Sequence, residues 1–136
     1  MNNTRFSVSL HILTLLARAG DDLLSSDYLA GSININPVLV RKELINLRNH
    51  GLVDSKEGKN GGSYLCKPAR EIYLSDVYEA IHQRLLLAKS KNKPNPRCQV
   101  GRQINTHLTH LYNDAEKALL AQLGKTTLKK FALQFD

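Results

Sequence analysis

The stretch from Ser25 to Lys67 constrains the fold more than any other part of the chain, because its punctuation leaves little choice of secondary structure. Ser25 or Ser26 caps a first short helix through Asp27, Tyr28, Leu29 and Ala30, since a serine hydroxyl accepts from an orphan N–H of the first turn. Asn34 falls in the turn that follows, and asparagine tolerates the left-handed backbone such a turn needs. Asn36-Pro37 opens a second helix: Asn caps it, and Pro at the first helical position forfeits no needed hydrogen bond. That helix runs to about Asn49 and stops at Gly51. Val40, Leu44 and Leu47 recur at i, i+4, i+7 and predict one core-facing stripe. Val38, Arg41, Lys42, Ile45 and Asn49 fall on the opposite face. The pattern is helix-turn-helix.

A hairpin follows it. The runs 52–56 and 63–67 mix polar and apolar residues and flank Glu57-Gly58-Lys59-Asn60-Gly61-Gly62, a glycine-rich tip. A helix for the major groove beside a hairpin bearing Lys56 and Lys59 is a recurrent way to read duplex DNA. Capped helix pairs and glycine hairpins also occur in proteins that never touch DNA, so the weight lies in their order within one basic segment. Net charge is +7 with a pI of about 9.6, which favours a polyanionic partner.

On either side the chain is helical. Phe6, Leu10, Leu13 and Ala17 share one helix face, widened by Ile12, Leu15 and Leu16, and Gly20 ends that helix. His11 within it reads as a structural residue. After the hairpin, Ser75 is the expected N-cap and Asp76 the first-turn anion of a helix reaching about Leu87, with Val77, Ile81 and Leu85 as its stripe. From Arg84 to Arg102 there are six basic residues and no acid, with Pro94 and Pro96 interrupting any helix. This reads as a basic loop. Beyond it Ile104, Leu108, Leu111, Ala115, Ala118 and Gln122 recur every three or four residues, with Leu119, Leu120 and Leu123 beside them, until Gly124. A helix so long on a small domain has little core of its own to lie on, so it is expected to pack on the same helix of a second copy. The other reading is an intramolecular lid. Thr126 or Thr127 then caps a short last helix with Leu128, Phe131, Ala132 and Phe135 inward.

The expected fold is therefore mainly α (α+β): a winged helix-turn-helix DNA-binding domain with a long C-terminal dimerisation helix. Residues 1–83 would form the DNA-binding domain, 84–103 a basic linker, and 104–136 the dimerisation helix and C-terminal helix. The candidate DNA-binding residues are Ser26, Asn36, Val38, Leu39, Arg41, Lys42, Lys56, Lys59 and Asn60. Those for dimerisation are Ile104, Leu108, Leu111, Ala115 and Leu119. Enzyme chemistry is not expected, because the chain lacks a phosphate-cradling glycine loop, an H-E-x-x-H and any nucleophile–base pairing. His107 and His110, even with Cys98, fall short of the four ligands of a structural metal site, so no metal is expected. No apolar run approaches the ~20 residues of a membrane span, and no signal-peptide layout opens the chain. A cytoplasmic location without a membrane partner follows. The competing function is a winged-helix interaction module whose exposed Val38, Leu39 and Ile45 bind protein, or whose basic face binds RNA.

The residues also carry a family resemblance. Leu29-Ala30, Asn36-Pro37, Arg41-Lys42-Glu43-Leu44 through Leu47-Arg48, Gly51-Leu52-Val53, Ser55, and Gly58 with Gly61-Gly62-Ser63-Tyr64-Leu65 resemble the Rrf-two family of bacterial winged-helix transcription regulators, in its YwnA-like branch. The resemblance implies a cytoplasmic homodimeric regulator, usually a repressor, on a near-palindromic operator. One departure is Glu57, where several relatives carry an arginine before the first wing glycine. Minor-groove contact then falls to Lys56, Lys59 or Asn60. Some relatives hold an iron–sulfur cluster on three cysteines in the region of Cys98. Here Cys98 stands alone, with Asn92 and Ile104 where its companions would fall, and Cys66 lies in the wing. Cluster ligation takes several thiolates, so no cofactor is expected. Cys98 is instead a candidate redox sensor, since Arg97 and Arg102 give it the cationic setting that suits a reactive thiol. An inert cysteine at a helix start is the plainer alternative.

Overall fold

The structure, a computed structural model, describes residues 4–81 and 90–136. Its elements are α1 (Arg5–Ala19), α2 (Ser26–Ile33), α3 (Pro37–Asn49), β1 (Val53–Lys56), β2 (Gly62–Leu65), a 3₁₀ turn (Ala69–Glu71), α4 (Leu74–Ile81), α5 (Gln99–Leu123) and α6 (Leu128–Ala132). The core gathers around α1, which contacts α2, α3, α4, α6 and β2. Ile12, Leu13, Leu29, Val40, Leu47, Ile72, Val77 and Leu128 are all fully buried there.

Local chemistry explains the helix-turn-helix. The cap of α2 is Ser25, whose hydroxyl accepts from Tyr28 N at 3.1 Å, leaving Ser26 as the first helical residue. Asn34 takes the left-handed conformation at φ 62° and ends α2. The Asn36 side chain accepts from Val38 N at 2.9 Å, with Pro37 at the first turn of α3. Two positions on the inner face of α3 differ from expectation. Leu44 is only half-buried, while Glu43 is buried. Its carboxylate accepts from Arg5 Nε at 2.7 Å and from Ser9 Oγ at 3.3 Å, which is the pairing a buried charge requires.

The second wing strand is shorter than expected and starts one residue earlier. β2 spans Gly62–Leu65 rather than 63–67, pairing antiparallel with Val53↔Leu65 and Lys56↔Gly62. The sheet also gains a third, one-residue edge. Leu24 N donates to Ser63 O at 3.1 Å and Ser63 N to Leu24 O at 2.7 Å, tying the entry of α2 to the wing. Gly62 makes this approach possible, because a Cβ there would stand 2.8 Å from Leu24 O. At the tip Gly58 has φ 106°, a conformation that favours glycine.

α4 begins at Leu74, so Ser75 is inside the helix and not its cap. Asp76 Oδ2 accepts instead from Tyr73 N at 2.9 Å, the reach-back half of a capping box. The expected extension of this helix to Leu87, with Leu85 and Arg84, lies outside the described residues. α5 starts at Gln99, five residues before the expected Ile104, because Pro94 and Pro96 precede its N-cap Cys98 and interrupt nothing. Gly101 lets the preceding loop fold back onto the helix: a Cβ there would lie 2.6 Å from Asn95 O. The last helix does not travel with α5. Leu74 N donates to Thr126 O at 3.0 Å and Leu128 N to Ile72 O at 2.7 Å, bringing α6 onto α1. Leu128 and Ala132 are buried there, so α6 completes the core of the winged half. Phe135, expected inward, is 48% exposed and meets the Phe131 ring in a T-shaped contact, with centroids 5.5 Å apart.

Candidate nucleic-acid interface

α3 stands across the molecule with one face in the core and the other in solvent. Val40, Glu43 and Leu47 face inward; Val38, Leu39, Arg41, Lys42, Ile45, Arg48 and Asn49 are exposed. Val38, Leu39 and Ile45 each leave more than half their surface open, so the face is apolar as well as cationic. Thymine methyls in a major groove would meet such side chains, while arginine and lysine reach base edges or phosphates.

Between α3 and the wing lies a cleft of about 430 Å³. Arg41, Ile45 and Arg48 line one wall, and Asp54 through Gly58 with Gly61 to Ser63 line the other; Ser25 and Ser26 close one end. One residue here is absent from the contacts expected from sequence. Arg48 lies seven residues after Arg41, hence on the same face two turns on, and that spacing is the signal that would have found it. Glu57 turns an acid into the same cleft, beside Lys56. Of the candidate contacts, Ser26, Arg41 and Lys56 line the cleft; Asn36, Val38, Leu39 and Lys42 lie on the α3 side of it. Lys59 and Asn60 are exposed at the wing tip, beyond the paired strands.

The dimerisation candidates all lie on α5. None of the 25 residues of this helix is buried. Ile104, Leu108 and Leu119 are half-buried, Leu111 is 60% exposed, and Ala115 is exposed. Val100, 67% exposed, extends the same apolar surface by one turn. His107 and His110 point to solvent, whereas His11 is half-buried with Nε2 3.0 Å from Ser32 Oγ.

Over residues 2–134 the sequence matches Rrf2, described as an iron-dependent transcriptional regulator. The chain belongs to the Rrf2 family. A protein of Bacillus subtilis (strain 168) named as the HTH-type transcriptional regulator YwnA is 34% identical over 129 residues, covering 95% of each chain. CymR, the global cysteine regulator of B. subtilis, superimposes over 100% of this chain and 98% of its own with a TM-score of 0.74. At 23% identity that likeness speaks for the fold. Staphylococcus aureus CymR matches with a TM-score of 0.69 and 26% identity, over 96% of each chain. As an Rrf2 member the protein is a winged helix-turn-helix transcription regulator and not an enzyme. Among the described residues no helix is long and apolar enough to cross a membrane.

The family description implies iron, and the donors in this Rrf2 chain do not fit a thiolate-held iron centre. It has two cysteines, one leaving the wing and one heading α5. Among the described residues no three of His, Cys, Asp and Glu come together. Partial desolvation raises the Cys66 thiol above its ordinary range, and the Asp54 carboxylate adds to the rise, which holds it in the less reactive protonated form. Cys98 is exposed and occupies the N-cap of α5 without a side-chain capping bond.

Proposed function

We propose that the chain acts as a homodimeric repressor that reads a near-palindromic operator with α3 and steadies it with the wing. The observation that carries this is the outward face of α3, where Arg41, Lys42 and Arg48 stand exposed around Val38 and Ile45 beside a cleft shared with Lys56. Arg41 and Lys42 are assigned to base edges or phosphates in the major groove, and Lys56, Lys59 and Asn60 to the backbone or minor groove. Ser26 and Asn36, at the starts of α2 and α3, offer backbone N–H groups to flanking phosphates. The absence of any buried side chain on α5 supports the two-fold partner, packed on Ile104, Leu108, Leu111, Ala115 and Leu119. Two α3 helices would then enter successive major grooves about 34 Å apart.

The protein is further assigned to the cytoplasm and to function without an iron–sulfur cluster. Purified protein should be colourless. If Cys98 relays a redox signal, mild oxidant should change DNA binding in the wild type and not in Cys98→Ser; equal responses exclude it. The exposed Val38, Leu39 and Ile45 favour the rival reading of a protein-binding face. Selection from random duplex DNA followed by a salt titration separates the readings. A DNA reader gives one enriched half-site and a steep fall of affinity with salt, whereas an interaction module enriches nothing.

A further inference from the structure

We propose that Arg5, Glu43 and Asn46 are positioning residues for DNA recognition: they lock α3 to α4 at Ala80 and Ile81 and thereby set the half-site spacing the dimer accepts. This rests on the two-fold reading above. The inner face of α3 is mostly apolar, yet Glu43 and Asn46, one turn apart, put polar groups on it. Both lead to one place. Asn46 Nδ2 donates to Ala80 O at 2.9 Å. Arg5, held by Glu43 through Nε, sends Nη1 to Ile81 O at 3.1 Å. Ala80 and Ile81 are the last two described residues of α4. A carbonyl oxygen carries two lone pairs, so each can accept such a side-chain bond whatever its own helix supplies.

An apolar seam would hold α3 as firmly but would tolerate sliding. Directed hydrogen bonds to two named carbonyls do not. Partly buried polar groups with directed partners can specify one arrangement over its neighbours. α4 passes the constraint on. Its Tyr78 meets the Phe6 ring of α1, with centroids 6.2 Å apart, and feels the charge of Glu116 on α5. α4 also packs directly along α5. In a dimer built on α5, one route from one recognition helix to the other therefore runs α3–α4–α5 and back, beside the path through α1. Moving a half-site by one base pair shifts it about 3.4 Å and turns it about 35°, so small play at the α3–α4 junction changes which spacing fits.

The experiment uses the full-length protein and the duplex enriched by selection, made also with its half-sites one base pair closer and one further apart. Affinities are measured for wild type, Asn46→Ala, Glu43→Gln and Arg5→Lys, with dimer mass by sedimentation. Asn46 is half-buried, so its truncation is the variant least exposed to misfolding. Wild type should prefer one spacing by about tenfold or more, the scale of a misplaced base pair. Asn46→Ala and Glu43→Gln should flatten that preference while remaining dimers, and Arg5→Lys, which keeps the cation, should retain part of it. Uniform weakening across all three spacings, or no change, overturns the proposal. A wild type that is dimeric but indifferent to spacing overturns it together with the two-fold operator.

Discussion

α3 and α5 are both helices with apolar residues left in water, yet they stand differently in the molecule. α3 buries Val40 and Leu47 completely and leaves a mixed cationic face outside. α5, almost twice as long, buries no residue fully, and among its exposed polar residues it leaves an aliphatic stripe: Val100, Leu111 and the half-buried Ile104 and Leu108. A helix with one buried face is finished by its own chain and free to meet a ligand. A helix of 25 residues with no fully buried residue leaves room for a partner, as the proposed dimer supplies. Substitutions on the two helices should therefore break different things.

The largest effect is expected on α5. A charge at Leu111, 60% exposed, should yield monomers in sedimentation and a lower thermal midpoint that no longer rises with protein concentration. Losing the second recognition helix removes the avidity of the pair, on the order of 10²–10⁴ in operator affinity. Leu47→Ala on the inner face of α3 should behave the opposite way. It leaves a cavity in a fully buried site and should lower unfolding free energy by about 2–5 kcal/mol in chemical denaturation, with dimerisation intact in whatever remains folded. On the outer face, Arg41→Ala should cost nothing in stability and about 1–3 kcal/mol of discrimination between the selected half-site and a mutated one. Lys59→Ala, at the wing tip, should do least: it weakens all sequences alike and lowers the salt slope by about one.

The difference between the regions also explains what can be read from the chain. Ser25, Asn34 and Asn36-Pro37 are legible because capping and left-handed turns are local chemistry. The third edge of the sheet is not, because Leu24 joins Ser63 across nearly 40 intervening residues through backbone atoms alone. Glu43 hides for the same reason: a charged residue reads as solvent-facing until Arg5 and Ser9, distant in sequence, arrive to pair it. The placement of α6 depends on a backbone bridge between Tyr73 and Thr127 that no periodicity announces. At the interface, Arg41, Lys42, Lys56 and the acid at Glu57 follow from helix geometry and the hairpin, whereas Arg48 emerges only when α3 and the wing are seen to share one cleft. On α5 the stripe is plain in sequence, but the start at Gln99 waits on the loop that folds back over Gly101.

The central claim is that the outward face of α3 reads duplex DNA. Its most direct test is the salt-dependent affinity of the Arg41→Ala/Lys42→Ala protein for the selected operator, beside wild type. With both exposed cations gone, operator affinity should fall by about tenfold or more and the salt slope should flatten by up to about two, at an unchanged thermal midpoint. A folded double variant that binds the operator as tightly as wild type, with the same slope, would contradict the account.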